Sequence, residues 1–196
     1  PIFAYAALLP WALFATSLAQ SSFSIVGASS IIGKVYFPRM AIPVATVLAA
    51  LVDFAVASVV LVGMMVYFGV FPSPEAVLML PLFMLLAVTT ALGAGLWFSA
   101  LNVRYRDVQY VVPFLIQIGL FITPVAYPAT LVNEPLRTIL AINPMTGVVE
   151  GFRWALLDVD TPPGLLLLVS CAVSLTMLVS GALFFRRMER TFADVI

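Results

Sequence analysis

The chain has 196 residues, of which 63% are hydrophobic and 9% charged, and its nine basic and nine acidic groups cancel to a formal charge of zero. Soluble domains carry roughly 25% charged residues, so this composition, with a mean hydropathy of +1.16, excludes a water-soluble fold. A single cysteine, Cys171, and the lack of any histidine leave no disulfide framework, no thiolate metal site and no imidazole base.

Crossing a bilayer takes about 20 apolar residues of helix, whereas β-barrel strands show alternation over about ten. The long apolar runs here fit the first pattern. The expected fold class is therefore all-α: a membrane bundle of five transmembrane helices, near residues 4–32, 44–68, 76–101, 108–127 and 164–185.

The first run carries Ser17, Gln20, Ser21 and Ser24, three or four apart and so on one helix face. Small hydroxyl residues in such a stripe suit close helix packing, or, as an alternative, a polar lining. An elbow over residues 31–43 follows, with Lys34, Tyr36, Phe37, Pro38, Arg39 and Pro43 between two membrane-length runs. On residues alone it reads either as a docking handle for another protein or as a lipid-headgroup anchor. In the second run stands Asp53, costly within hydrocarbon and thus either functional or satisfied by groups of the elbow.

Gly69, Pro72 and Pro74 make a turn, and Glu75 opens the third run at the positive end of its helix dipole. Gly93 and Gly95, within a cluster of small residues at 91–95, allow a neighbouring backbone to approach closely. The polar junction Asn102-Val103-Arg104-Tyr105-Arg106-Asp107 precedes the fourth run, which contains Pro113 and Pro124. Residues 128–163 are too broken to cross; helix starts at Asn133-Glu134-Pro135 and Asn143-Pro144, the latter leading to Glu150 and Arg153, suggest a re-entrant hairpin of two short helices.

Lys34, Arg39, Arg104, Arg106, Arg186, Arg187 and Arg190 fall on one side of this topology. The other side holds Arg137 and Arg153 with Glu75, Glu134, Glu150, Asp158 and Asp160. The positive-inside rule assigns the first side, C-terminus included, to the cytoplasm. Because the sequence begins at Pro1 on the outer face, at least one preceding span is expected, giving six in the full protein.

Neither a phosphate-binding glycine loop nor a nucleophile–base set is present in the sequence. A catalytic reading therefore has almost no residues to stand on, and energy for any work would come from a partner or an ion gradient; no cofactor or nucleic acid is expected to bind the chain itself. Three alternatives stay open: an exporter of a drug or other lipid, a membrane enzyme acting on polyprenyl-phosphate sugars, and an ion-coupled transporter resting on Asp53.

Leu8-Leu9-Pro10-Trp11, Lys34-Val35-Tyr36-Phe37-Pro38-Arg39 and Asn102-Val103-Arg104-Tyr105-Arg106-Asp107 resemble the permease subunits of ABC-2 type polysaccharide exporters. These are the membrane halves that move O-antigen, capsule or teichoic-acid chains. The likeness covers nearly the whole chain, although Met40 follows Arg39 where the family more often has an acidic or polar residue.

The resemblance implies a multi-pass protein of the bacterial cytoplasmic (inner) membrane, working as a homodimer on two cytoplasmic ABC ATPase subunits. ATP and Mg would be bound by those partners. It implies that Lys34, Val35, Tyr36, Phe37, Pro38 and Arg39 form the ATPase-coupling element. Arg104, Tyr105, Arg106 and Asp107 would receive the diphosphate of a lipid-linked polysaccharide, or form a plain cytoplasmic turn. Trp11, Phe14, Trp97, Tyr110, Phe114 and Trp154 are candidate glycan-passage aromatics, with packing or interfacial belts as their other role. Asn143, Pro144, Glu150 and Arg153 would belong to an outer gate.

Overall fold

The computed structural model describes residues 2–32, 37–128, 132–133, 140, 142–157, 164–190 and 192. Its helices are α1 (Ile2–Gly27), α2 (Ser29–Ile32), α3 (Ala41–Phe68), α4 (Pro74–Arg104), α5 (Val108–Ile122), α6 (Pro144–Leu157) and α7 (Leu165–Glu189). Four of these, α1, α3, α4 and α7, are long and apolar enough to cross a membrane. No strand occurs among the described residues.

The first apolar run does not continue to residue 32 as one helix. It breaks at Gly27–Ala28, and a single turn, α2, carries the chain onward. The fourth run is also shorter than expected, because α5 has 15 residues and ends at Ile122. Thr123 precedes Pro124, whose ring disfavours helical backbone at the residue before it, and Thr123 accordingly adopts φ −76°, ψ 134°.

The tight connection between α3 and α4 follows from residue chemistry. Gly69 caps α3 in the left-handed region at φ 66° and returns its N–H to Met65 and Val66, a conformation that costs glycine no Cβ clash. Ser73 then accepts from the Ala76 N–H, Pro74 takes the first helical position and Glu75 follows in the first turn of α4.

Helices α1 and α4 form the centre. Ser21 of α1 lies against Gly95 of α4, where a Cβ would overlap its hydroxyl, and Asn102 donates to the Ser22 carbonyl at 3.0 Å. Ser17 and Ser21 are buried while Gln20 is exposed, so the serine stripe packs and the glutamine faces away. On the other flank of α4, Gly93 meets the Met177–Leu178 backbone of α7 and Gly181 meets the Gly93 carbonyl. Hydroxyls rung this crossing: Thr90 and Ser174 are 2.7 Å apart, and Trp97 donates to Ser180 at 3.1 Å. Such contacts suit a membrane interior, where lipid competes equally for apolar surface and close backbone approach decides packing.

Helix α6 enters between α1 and α4 at the end where α1 begins. Its Gly151 has no room for a Cβ beside Phe83, and Phe152 packs against both Phe83 and Phe54. In chain order α6 lies between α5 and α7, the place expected of the hairpin's second arm. Most of the first arm, Glu134 and Arg137 included, lies outside the described residues.

Candidate functional site

Three regions carry the chemistry: a basic end, an outward stripe on α5, and the contact of α6 with the turn after α5.

The three basic junctions meet at one end of the bundle. Ile25, Leu96, Ala100, Val103, Phe185 and Phe192 form a common buried cluster with Met40, Ile42 and Met188 against it. This cluster brings together the end of α1, the start of α3, the end of α4 and the end of α7. Lys34, Val35 and Tyr36 lie outside the described residues. Phe37 is half-buried in a groove of about 520 Å³ shared with Gln20, Ala28, Ala41, Ile42, Ala45, Thr46 and Ala49. Pro38 is exposed.

Arg39 is half-buried, and its Nη1 donates to the Glu189 carbonyl at 2.6 Å. That carbonyl is among the last of α7, which lack partners within their helix and attract a cation. The elbow is therefore tied directly to the end of the last span, a link across 150 residues that sequence spacing gives no means of anticipating.

Arg104, Tyr105, Arg106 and Asp107 are all exposed at this same end. The Arg104 guanidinium lies 5.5 Å from the centroid of the Tyr105 ring. Tyr105 leaves the helix in extended backbone, its N–H still bonded to the Leu101 carbonyl. The arrangement presents two guanidinium forks to the surroundings, the geometry that suits phosphate oxygens.

The candidate aromatics separate into two groups. Trp11 is buried, its ring against Gly119 of α5, with half-buried Phe14 at 5.4 Å. Trp97 stacks on Phe184 at 4.1 Å and 16°, and Trp154 is half-buried against the main core. These four pack within the chain. Tyr110 and Phe114, by contrast, are 74% and 61% exposed. Phe121, 67% exposed, and Gln117, also exposed, lie on the same face. At 100° per residue, positions 110, 114, 117 and 121 fall within about 60° of one another. Phe121 and Gln117 were recoverable from the sequence by extending the 110–114 register by seven, a step that the proline-interrupted run obscured.

Asp53 lies on the outward face of α3 beside Val52 and Val56, all three exposed. It is about 18 Å along the helix from Ala41, so it is remote from the elbow's described groups at Phe37, Pro38 and Arg39.

At the opposite end, Asn143 begins α6. Its Oδ1 accepts from the Met145 N–H at 3.1 Å, with Pro144 in the first helical position, and its Nδ2 donates to Thr123 Oγ1 at 2.8 Å. Arg153 is 1% exposed. Its Nη1 donates to the Pro124 carbonyl at 2.6 Å and the Tyr127 carbonyl at 3.1 Å, and Nη2 donates to the Val125 carbonyl. The guanidinium lies 4.0 Å from the centroid of Phe3, a cation–π contact strengthened by desolvation. Glu150, one turn earlier, is half-buried. Thus Asn143 and Arg153 converge on residues 123–127. Their acceptors follow from the break at Pro124, which frees carbonyls that an uninterrupted helix would bond internally.

A bundle of membrane-length helices with a basic end that gathers three junctions is the make-up of a multi-pass membrane protein. Residues 3–157 match the ABC-2 type transporter family, and the chain belongs to it. It is 29% identical over 198 residues to the O-antigen export system permease protein RfbA of Myxococcus xanthus, covering 100% of this chain and 76% of that protein. A relative of the same name from Klebsiella pneumoniae is 27% identical over 195 residues, again across 100% of this chain and 75% of its own length.

Proposed function

We propose that this chain is the permease subunit of an ATP-driven exporter of a lipid-linked polysaccharide, and that the outward stripe of α5 lines the passage. The observation that carries this reading is the alternation of Tyr110, Phe114, Gln117 and Phe121 on one face, three of them aromatic and one an amide midway. Against lipid, an unpartnered amide at that depth is unfavourable. Against a glycan, aromatic planes meet the apolar faces of sugar rings and the amide meets their hydroxyls. The relatives named for O-antigen export support the choice of cargo.

Two copies of the chain would face these stripes across a two-fold axis, each resting on a cytoplasmic ATPase that holds ATP and Mg. The elbow, with Phe37 and Arg39 at its described end, would receive the force of nucleotide-driven closure and rock the spans. Arg104 and Arg106 would meet the diphosphate of the lipid carrier at the entry. The membrane would be the bacterial inner membrane, with the basic end and C-terminus cytoplasmic.

The test is export of labelled lipid-linked glycan by proteoliposomes containing the chain and its ATPase. Gln117→Leu combined with Tyr110→Ala should abolish export while leaving assembly and basal ATP hydrolysis intact. Undiminished glycan export by that variant would refute the passage assignment. Transport of a hydrophobic drug or unglycosylated lipid, but of no glycan, by the unaltered complex would refute the cargo.

A further inference from the structure

We infer that Arg153 is a positioning residue that joins α5 and α6 into one moving part, so that the stripe on α5 cannot shift without carrying α6 with it. The inference deepens the proposed function and rests on α5 lining the passage and α6 belonging to its outer mouth.

The argument starts from the kinds of contact α6 makes. Toward the end of α5 they are directional. Arg153 distributes its two terminal nitrogens over the carbonyls of Pro124, Val125 and Tyr127, and Asn143 adds a bond to Thr123. The two ties, Asn143 just before α6 and Arg153 within it, lie ten positions apart and grip the same five-residue stretch, fixing orientation as well as distance. Toward α4 the contacts are apolar: Gly151 on the Phe83 ring and Phe152 beside it. Those contacts are close but carry no directional bond, so they can exchange one packed arrangement for another, whereas a directional bond is kept or lost.

Burial decides which contact yields. Arg153 is sealed from its surroundings on α6, with the Phe3 ring over its face. Pulling it from the carbonyls would leave several backbone acceptors where water cannot replace the lost bonds. A tie of that kind is too costly to break in each transport cycle. It therefore acts as a strut, and the α6–α4 surface is where relative motion occurs. The break at Pro124 acquires a role in this scheme, since it exposes the carbonyls that the guanidinium grips.

The experiment uses the full transporter with its ATPase in lipid. Spin-label pairs at Ile122 and Leu157 report the α5–α6 distance, and pairs at Leu78 and Leu157 the α4–α6 distance, in nucleotide-free and vanadate-trapped states. The strut predicts that the first distance is the same in both states and that the second changes. In Arg153→Met the first distribution should broaden, and glycan exported per ATP hydrolysed should fall about tenfold with hydrolysis itself retained. Arg153→Lys should recover part of that ratio, because one ammonium cannot span the carbonyls that a planar fork spans.

A change in the α5–α6 distance in the unaltered protein, or an undiminished export ratio in Arg153→Met, would overturn the inference. If the methionine variant fails to fold, the distances in the unaltered protein and the lysine variant still decide. The two readings fail separately: absence of glycan transport by the unaltered complex removes the proposed cargo, whereas the distance measurements depend only on the motion.

Discussion

Replacing Gly93 by alanine should separate α4 from α7 and destabilise the bundle, although alanine is the better helix former. A Cβ at position 93 would lie 2.6 Å from the Leu178 nitrogen and 2.6 Å from the Met177 carbonyl carbon, with the Met177 oxygen at 2.9 Å. Carbon contacts are favourable from about 3.5 Å, so the two backbones must part by about 1 Å. No side chain can rotate out of the way, because the atoms encountered are backbone. Overpacking of this kind costs about 1–3 kcal/mol. Parting the helices also lengthens the Thr90–Ser174 contact from 2.7 Å, and interhelical bonds of that type contribute about 0.6 kcal/mol. Glycine-to-alanine exchange within a helix returns about 0.5–1 kcal/mol, leaving a net loss of about 1–3 kcal/mol. Gly63 provides the control, since a Cβ there meets nothing within 4 Å, and its alanine variant should gain about 0.5–1 kcal/mol. Thermal unfolding in detergent, both variants side by side, should show opposite shifts, with Gly93→Ala lower by roughly 5 °C. Equal shifts for the two variants would refute the backbone-contact reasoning.

Two further outcomes follow from side chains at the ends and the rim of the bundle. Arg39→Gln removes the charge from the bond to the Glu189 carbonyl, a loss of about 1–2 kcal/mol for a half-buried charged donor; ATP hydrolysis should continue while export per ATP falls, and an unchanged ratio would show that the tie carries no force. Asp53→Asn should leave glycan export and ATP hydrolysis unchanged, because Asp53 faces outward among exposed valines about 18 Å from the start of α3; loss of export with intact hydrolysis would instead favour an ion-coupled scheme.

The helices and their order were legible because about 20 apolar residues between polar junctions have one sensible reading in a membrane. The faces they bury were not. In a soluble protein the buried face is the apolar one, but here lipid and protein interior are equally apolar, and valines cover the outside of α3 as thickly as leucines fill the centre. The usable signal was size: Gly93 and Gly95 marked the two crossings of α4, and Ser17 and Ser21 marked the packed side of α1. Where helices stop was harder to read. Gly27 ended α1 within an apolar run, and Thr123 acquired its extended backbone from the proline after it. Arg153 was visible as a cation on a short helix, yet its acceptors are backbone carbonyls, and every residue has one. Nothing in residue identity could single out those of Pro124, Val125 and Tyr127. For the same reason Trp11 and Trp97 could not be told from Tyr110 by type; only packing separates a ring wedged against Gly119 or stacked on Phe184 from one that faces outward.

These contacts also differ in stiffness, and the difference bears on the proposed motion. The α1–α4–α7 trio is held by backbone approach between α4 and α7, by Ser21 against Gly95 between α1 and α4, and by polar rungs, so a displacement at one end carries to the other. Arg39 joins the elbow to that trio at the end of α7. Helix α5 is attached differently: Val112 is its one fully buried side chain among the described residues, with Trp11 against Gly119 as a wedge. At one end it hangs from the exposed turn at 104–107, and at the other from the ties to α6. A load entering through the elbow therefore meets a rigid core first, and the least-buried element is the one able to yield. On the proposed function that element bears the passage stripe, so the helix that must move to let cargo through is also the one held most loosely along its length and most tightly at its outer end.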